Sequence, residues 1–303
     1  MLAFETELNR VEAVAFSPCG RFVAAGGLGV ELWDVGLERV WRWGWTKQKA
    51  ARNAYVRRVE YHPFGEWVFG LVPGQELHQL RAADGEGFEF PIPYAQVSGH
   101  STFAVSRADG RIATGHSFFG RAGWEPPTGP DLMPPRMLWK EATDGAAHLA
   151  FLPDDSLIAH EINRGDDPPR FVVQSSEDGS TLQEVPSRVG HLDRLRADGQ
   201  FLVASRDNTL RVWSLEYLHR LPRLLTSDSK KAITDFAFHP GGHYLATASN
   251  DRGVTFWDVG TWQPSRTFDW HEGRMRSIAF SPDGCVAAVG SDTGHVVLFD
   301  VDL

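Results

Sequence analysis

One phrase recurs along this chain and constrains its fold more than any other feature. Val14-Ala-Phe-Ser-Pro-Cys-Gly20 returns as Val59-Glu-Tyr-His-Pro-Phe-Gly65, Phe236-Ala-Phe-His-Pro-Gly-Gly242 and Ile278-Ala-Phe-Ser-Pro-Asp-Gly284. Weaker copies stand at Arg107-Ala-Asp-Gly110, Ala150-Phe-Leu-Pro-Asp-Asp155 and Leu195-Arg-Ala-Asp-Gly199. The last residues of these phrases fall at 20, 65, 110, 155, 199, 242 and 284, in steps of 42 to 45 residues, so seven units fill the 303-residue chain. A fixed period of this length means one small supersecondary unit repeated, each burying its apolar face only against its neighbours.

Within a unit the grammar is constant. An apolar strand ends in the turn phrase, a second strand is rich in small residues, and after a polar turn a third strand ends in an aromatic. The second strand reads Phe22-Val-Ala-Ala-Gly26, Tyr244-Leu-Ala-Thr-Ala248 and Val286-Ala-Ala-Val-Gly290. The third reads Val30-Glu-Leu-Trp-Asp34, Leu210-Arg-Val-Trp-Ser214, Val254-Thr-Phe-Trp-Asp258 and Val296-Val-Leu-Phe-Asp300. The thirty Gly, eighteen Pro and eleven Trp of the chain suit many turns and large buried aromatics.

These residues resemble the WD-repeat family, including its bacterial-type stand-alone members. The resemblance implies an all-β, seven-bladed β-propeller of four-stranded antiparallel blades, one domain over 1–303. The family's hydrogen-bonded network of a histidine, a turn aspartate, a serine and the tryptophan assigns structural roles to Trp33, Trp213, Trp257, Asp207, Asp251, Asp292 and His271, which stands 13 residues before Gly284. Units two to four lack the third-strand Trp or carry insertions, as at Arg164-Gly-Asp-Asp-Pro-Pro169, yet the spacing still requires blades there. Unit seven runs out of chain before a fourth strand, and Leu2-Ala-Phe-Glu-Thr6 stands where such a strand would lie. The N-terminal segment is therefore expected to complete blade seven, burying Leu2 and Phe4 and removing an open sheet edge.

Composition narrows the function classes. A net charge of −9 argues against a whole-molecule nucleic-acid binder, although a local basic patch stays open. No apolar run approaches the length of a membrane span, and the N-terminus lacks the basic start and apolar core of an export signal, so a cytoplasmic location is expected. Two cysteines, Cys19 and Cys285, supply neither a disulfide framework nor a zinc site. Lys fills only five of the 30 basic positions, a bias towards Arg that points to a GC-rich genome. No phosphate loop, zinc-binding helix or nucleophile turn is present, so neither cofactor nor metal is expected and the chain reads as non-enzymatic.

In up-and-down blades the second-to-third turns and the blade-to-blade links emerge on one face, the face the family uses for binding. It collects Tyr55, Arg57, Arg58, Arg206, Asn250 and Arg274, of which Arg and aromatic side chains most often dominate interface energetics. The expectation is a monomeric scaffold that binds a peptide or protein around the central channel. Trp41, Trp43 and Trp45 share one face of an outer strand, and two readings stand: packing on the neighbouring blade, or an exposed aromatic patch. The link that follows, with Lys47, Lys49, Arg52, Arg57 and Arg58, offers the rival function, a site for nucleic-acid phosphates or an acidic partner. A propeller-type enzyme is the more remote rival. Trp262, in Gly260-Thr-Trp-Gln-Pro264, reads as an exposed link residue.

Overall fold

A computed structural model describes residues 1–44, 55–72, 77–90, 101–116, 120–125, 135–142, 146–161 and 168–301. Each unit of the repeat forms one four-stranded antiparallel sheet, and the seven sheets make a seven-bladed β-propeller. Blade one comprises Ala13–Phe16, Phe22–Gly27, Gly29–Asp34 and Arg39–Gly44; blade two comprises Arg58–Tyr61, Trp67–Leu71, Leu77–Arg81 and Gly87–Phe90. Blade three is built from Ser101–Val105, Ile112–His116, Gly120–Trp124 and Met137–Glu141, and blade four from Ala146–Phe151, Leu157–Glu161, Arg170–Gln174 and Thr181–Pro186. Blade five holds Arg194–Asp198, Phe201–Arg206, Thr209–Ser214 and Arg223–Thr226, and blade six Ile233–Phe238, Tyr244–Ser249, Gly253–Asp258 and Gln263–Asp269. Blade seven takes Met275–Phe280, Val286–Ser291 and His295–Asp300 from the C-terminal end. Its fourth strand is Leu2–Glu5, paired antiparallel with residues 295–298, so the N-terminal segment does complete the blade.

Two compact units divide the chain. One holds blades six, seven, one and two, the last up to Gly87; the other holds blades three to five. In each unit the apolar clusters span adjacent blades rather than lying inside one. Phe256 and Phe280 join blades six and seven, Phe4, Val14 and Val296 join seven and one, and Leu32, Trp41 and Val68 join one and two. In the other unit Phe171 and Trp213 meet edge-on across blades four and five at 5.2 Å. At the position of the signature tryptophan, blade two carries buried Leu80 and blade four buried Gln174.

The outer strands of blades one, three, four and six shift register next to the third-strand aromatic position, between Leu32 and Trp33, Gly123 and Trp124, Val173 and Gln174, and Phe256 and Trp257. Such bulges twist an exposed edge away from strand partners. Two burial expectations change. Leu2 is 52% exposed, so Phe4 alone carries the apolar anchoring within the closing strand. Trp262 is buried, because a positive φ of 59° and a hydrogen bond from its N–H to the Asp258 carbonyl turn the link back on the blade and tuck the indole under it. Both cysteines are free and exposed.

Candidate partner-binding surface

The loop face of the first unit is assembled from backbone pairings that the repeat dictates. In each blade the residue leading into the first strand pairs with the start or end of that blade's second-to-third turn. The N–H of Arg57 donates to the Leu71 carbonyl at 2.9 Å, that of Asn250 to Ala232 at 3.0 Å, and that of Asp292 to Arg274 at 3.0 Å. Neighbouring blades are stitched along the same side by Val56 N–H to the Gly27 carbonyl and Val11 N–H to Ser291, each 2.8 Å. Gly27 is required there, since a Cβ would lie 2.2 Å from the Arg10 carbonyl oxygen.

On this face Tyr55 is half-buried. Arg10 stacks its guanidinium 3.8 Å from the ring centroid, and Asn9 donates to the phenol oxygen at 3.4 Å. Arg58 pairs with Glu60 at 2.7 Å within its own strand, which neutralises it locally. Arg57 is exposed and has no ion-pair partner among the described residues. Arg274 is also exposed, with its guanidinium 4.0 Å from Asp292. Asn250 is half-buried and its side-chain oxygen has no hydrogen-bond partner. Arg206 lies in the other unit, where it donates to the His191 carbonyl at 2.8 Å and stands 3.8 Å from Asp207. Arg57, with no ion-pair partner among the described residues, and Arg274, held only by a long 4.0 Å contact to Asp292, present exposed guanidinium forks on the first unit's loop face that suit carboxylate or phosphate oxygens.

The exposed-patch reading fails for Trp41 and Trp43. Trp41 is buried, donates its indole N–H to the Ala82 carbonyl at 2.9 Å and thus caps blade two, while Trp43 packs its ring 4.4 Å from His78 of that blade. Trp45, Lys47, Lys49 and Arg52 lie outside the described residues.

The residues assigned to the repeat network divide. Trp213 and Trp257 are buried, and Trp257 donates to Thr247 Oγ1 at 3.1 Å. Trp33 donates instead to Glu31, at 3.0 Å. Burial alone would raise the Asp251 carboxyl, but hydrogen bonds from Ser229, Ser249 and the Gly253 N–H hold it below the usual range. Asp292 accepts the Arg274 N–H at 2.8 Å and so ties the blade-seven turn to its link. His271 does not join that network: its side chain is 81% exposed and pairs with Asp269 at 2.8 Å, because a positive φ of 61° turns it outward. Asp207 is likewise not the turn acceptor of blade five. Its carboxylate is exposed, and its own N–H donates to Asp193 at 3.0 Å, so Asp193 takes the acceptor's place.

Sequence reasoning missed the buried ion clusters. Glu31 is fully buried beside Arg39 and Arg42 in blade one, and Arg121 and Glu161, each 1% exposed, meet at 2.6 Å between blades three and four. The available signal was a charge inside an otherwise apolar strand. Among the described residues, no group of three His, Cys, Asp or Glu side chains has a metal-site arrangement.

With this geometry in hand, residues 179–214, 221–258 and 262–300 match the family model of the WD domain, G-beta repeat. The chain is 26% identical to transcription initiation factor TFIID subunit 5 of Caenorhabditis elegans over half of this chain and 23% of that protein. It is 28% identical to pre-mRNA-processing factor 19 of Oryza sativa subsp. japonica, again over half of this chain and 29% of the relative. Over 38% of this chain and 37% of the relative, it is 32% identical to the protein LST8 homolog of Drosophila melanogaster. Three matched repeats and these relatives support a WD-repeat β-propeller family. The chain spans well under half the length of each of these relatives, all eukaryotic, and none of them supports the bacterial-type qualifier.

Proposed function

We propose that the chain is a non-enzymatic interaction scaffold: a single propeller domain over 1–303, monomeric and cytoplasmic, that binds an acidic peptide segment of a protein partner on the loop face of blades six, seven, one and two. The observation that carries this reading is the pair of exposed arginines, Arg57 and Arg274, on the loop face beside Arg58, which is paired with Glu60. Two relatives are by name subunits of larger assemblies, the TFIID subunit and the target of rapamycin complex subunit wat1 of Schizosaccharomyces pombe, which supports a protein as the partner. The arginine bias of the composition is in keeping with a GC-rich genome. The overall charge of −9 weighs against nucleic acid as the ligand of the same arginines.

Affinity purification from the native cell tests this, using wild type beside a protein carrying Arg57→Ala and Arg274→Ala, each with and without nuclease. The expected result is a discrete protein captured by wild type, insensitive to nuclease and lost with the double substitution. Capture that vanishes on nuclease treatment would make nucleic acid the ligand, and capture unchanged by the substitutions would move the binding site elsewhere.

A further inference from the structure

Glu31 sits in the third strand of blade one, two residues before the aromatic, where the other clear repeats carry Arg211, Thr255 and Val297. Its side chain has no exposure to solvent. A buried carboxylate persists only when hydrogen-bonded and matched in charge. The matching groups come from two directions. From its own blade, Trp33 donates its indole N–H to Oε2 at 3.0 Å, while Arg42 and Arg39 stand 3.4 and 3.6 Å from Oε1. From the N-terminal segment, the backbone N–H of Glu7 donates to the same Oε1 at 3.1 Å, and the Glu7 carboxylate holds Arg39 at 2.9 Å.

Glu7 lies two residues past the closing strand Leu2–Glu5. The stretch that follows is tied down residue by residue: the Thr6 N–H and hydroxyl both donate to the Gly294 carbonyl, Leu8 is buried and its carbonyl accepts the Leu28 N–H. Next in line are Asn9 and Arg10, the two residues that hold Tyr55. The segment therefore cannot leave without stranding a buried carboxylate, and it cannot shift without moving the support of Tyr55.

We propose that Glu31 is the latch of the N-terminal strand: by gripping the Glu7 N–H it seats residues 6–10 on blade one, so that completion of blade seven and the placement of Tyr55 on the loop face are one coupled event. That Tyr55 then meets a partner rests on the binding reading above; the latch itself does not. Glu31 acts as a positioning residue, through the backbone it holds.

Hydrogen exchange read by mass spectrometry tests the latch with no partner present. In Glu31→Ala, amides of residues 2–11, and of 55–57 behind Tyr55, should exchange at least about tenfold faster, while those of 201–213 in the other unit stay within about twofold of wild type. Glu31→Gln keeps an oxygen acceptor for the Glu7 N–H and should hold residues 2–11 within about threefold of wild type. Uniform acceleration across the chain in Glu31→Ala, no acceleration at 2–11, or Glu31→Gln behaving like Glu31→Ala would each overturn the proposal. If the exchange pattern is as stated and Glu31→Ala still binds the captured protein normally, the latch stands and the role of Tyr55 in binding fails.

Discussion

Deleting residues 1–9 removes the fourth strand of blade seven, and the structure sets the scale of the loss. Phe4 is 8% exposed and Leu8 is fully buried. At ~1.5–3 kcal/mol per buried side chain, these two contribute about 3–6 kcal/mol, and half-exposed Leu2 adds roughly 1. Stripping the Glu7 N–H from buried Glu31 costs about 1–3 kcal/mol more. The sum, about 5–10 kcal/mol, is comparable to the whole stability of an ordinary domain. The strand His295–Asp300 is left with an unpaired edge, so the truncated protein should also associate. Urea unfolding followed by tryptophan fluorescence, with size-exclusion chromatography and light scattering, measures both effects. Two point substitutions separate anchor from bystander: Phe4→Ala should cost about 3–5 kcal/mol, and Leu2→Ala under about 1 kcal/mol. A truncated protein that melts within a degree or two of wild type and stays monomeric would refute the closure argument.

Three further outcomes follow from burial and hydrogen bonding. Trp213→Ala, Trp257→Ala and also Trp262→Ala should each lose about 3–5 kcal/mol in denaturant titrations, since all three indoles are buried. In blade five the Trp213 indole N–H has no acceptor, and Ala204 stands at the register where blade six has Thr247; Ala204→Ser should stabilise by about 1 kcal/mol, visible as a raised midpoint. Burial of His160, with the nearby His148, depresses its pKa to about 3 from 6.5. The unfolded chain therefore binds the proton first, and stability present above pH 6.5 should fall by about 1.4 kcal/mol per pH unit below it; a His160→Gln protein should show a flatter melting profile between pH 7 and 5.

The repeat made the architecture legible because its turn phrases and strand lengths are local. The second strand read as Phe22–Gly26 is observed as Phe22–Gly27, and the closing strand read from Leu2 to Thr6 as Leu2–Glu5. What stayed hidden depends on backbone angles and on contacts between repeats. Trp262 looks like a turn residue, and a positive φ turns it inward, whereas His271 has the spacing of a network histidine and a positive φ turns it out. Glu31 reads as one polar residue in an alternating strand, and only the arrival of the Glu7 N–H from the far end of the closing segment explains its burial. On the loop face the sequence located the arginines, and the structure alone separates paired Arg58 from exposed Arg57.

The central claim is that a protein partner docks on the loop face, and the affinity of the captured partner tests it most directly. Isothermal titration calorimetry should compare wild type, the Arg57→Ala and Arg274→Ala protein, and a control with Arg21→Ala and Glu66→Ala beside the turn phrases, where Arg21 pairs with Asp34 at 2.9 Å. Loss of both loop-face guanidinium groups should weaken binding by at least ~2 kcal/mol, about thirtyfold, with the fold intact. The control should change affinity by less than ~0.5 kcal/mol. Normal binding by the loop-face variant together with loss of binding in the control would place the functional surface on the opposite side of the blades.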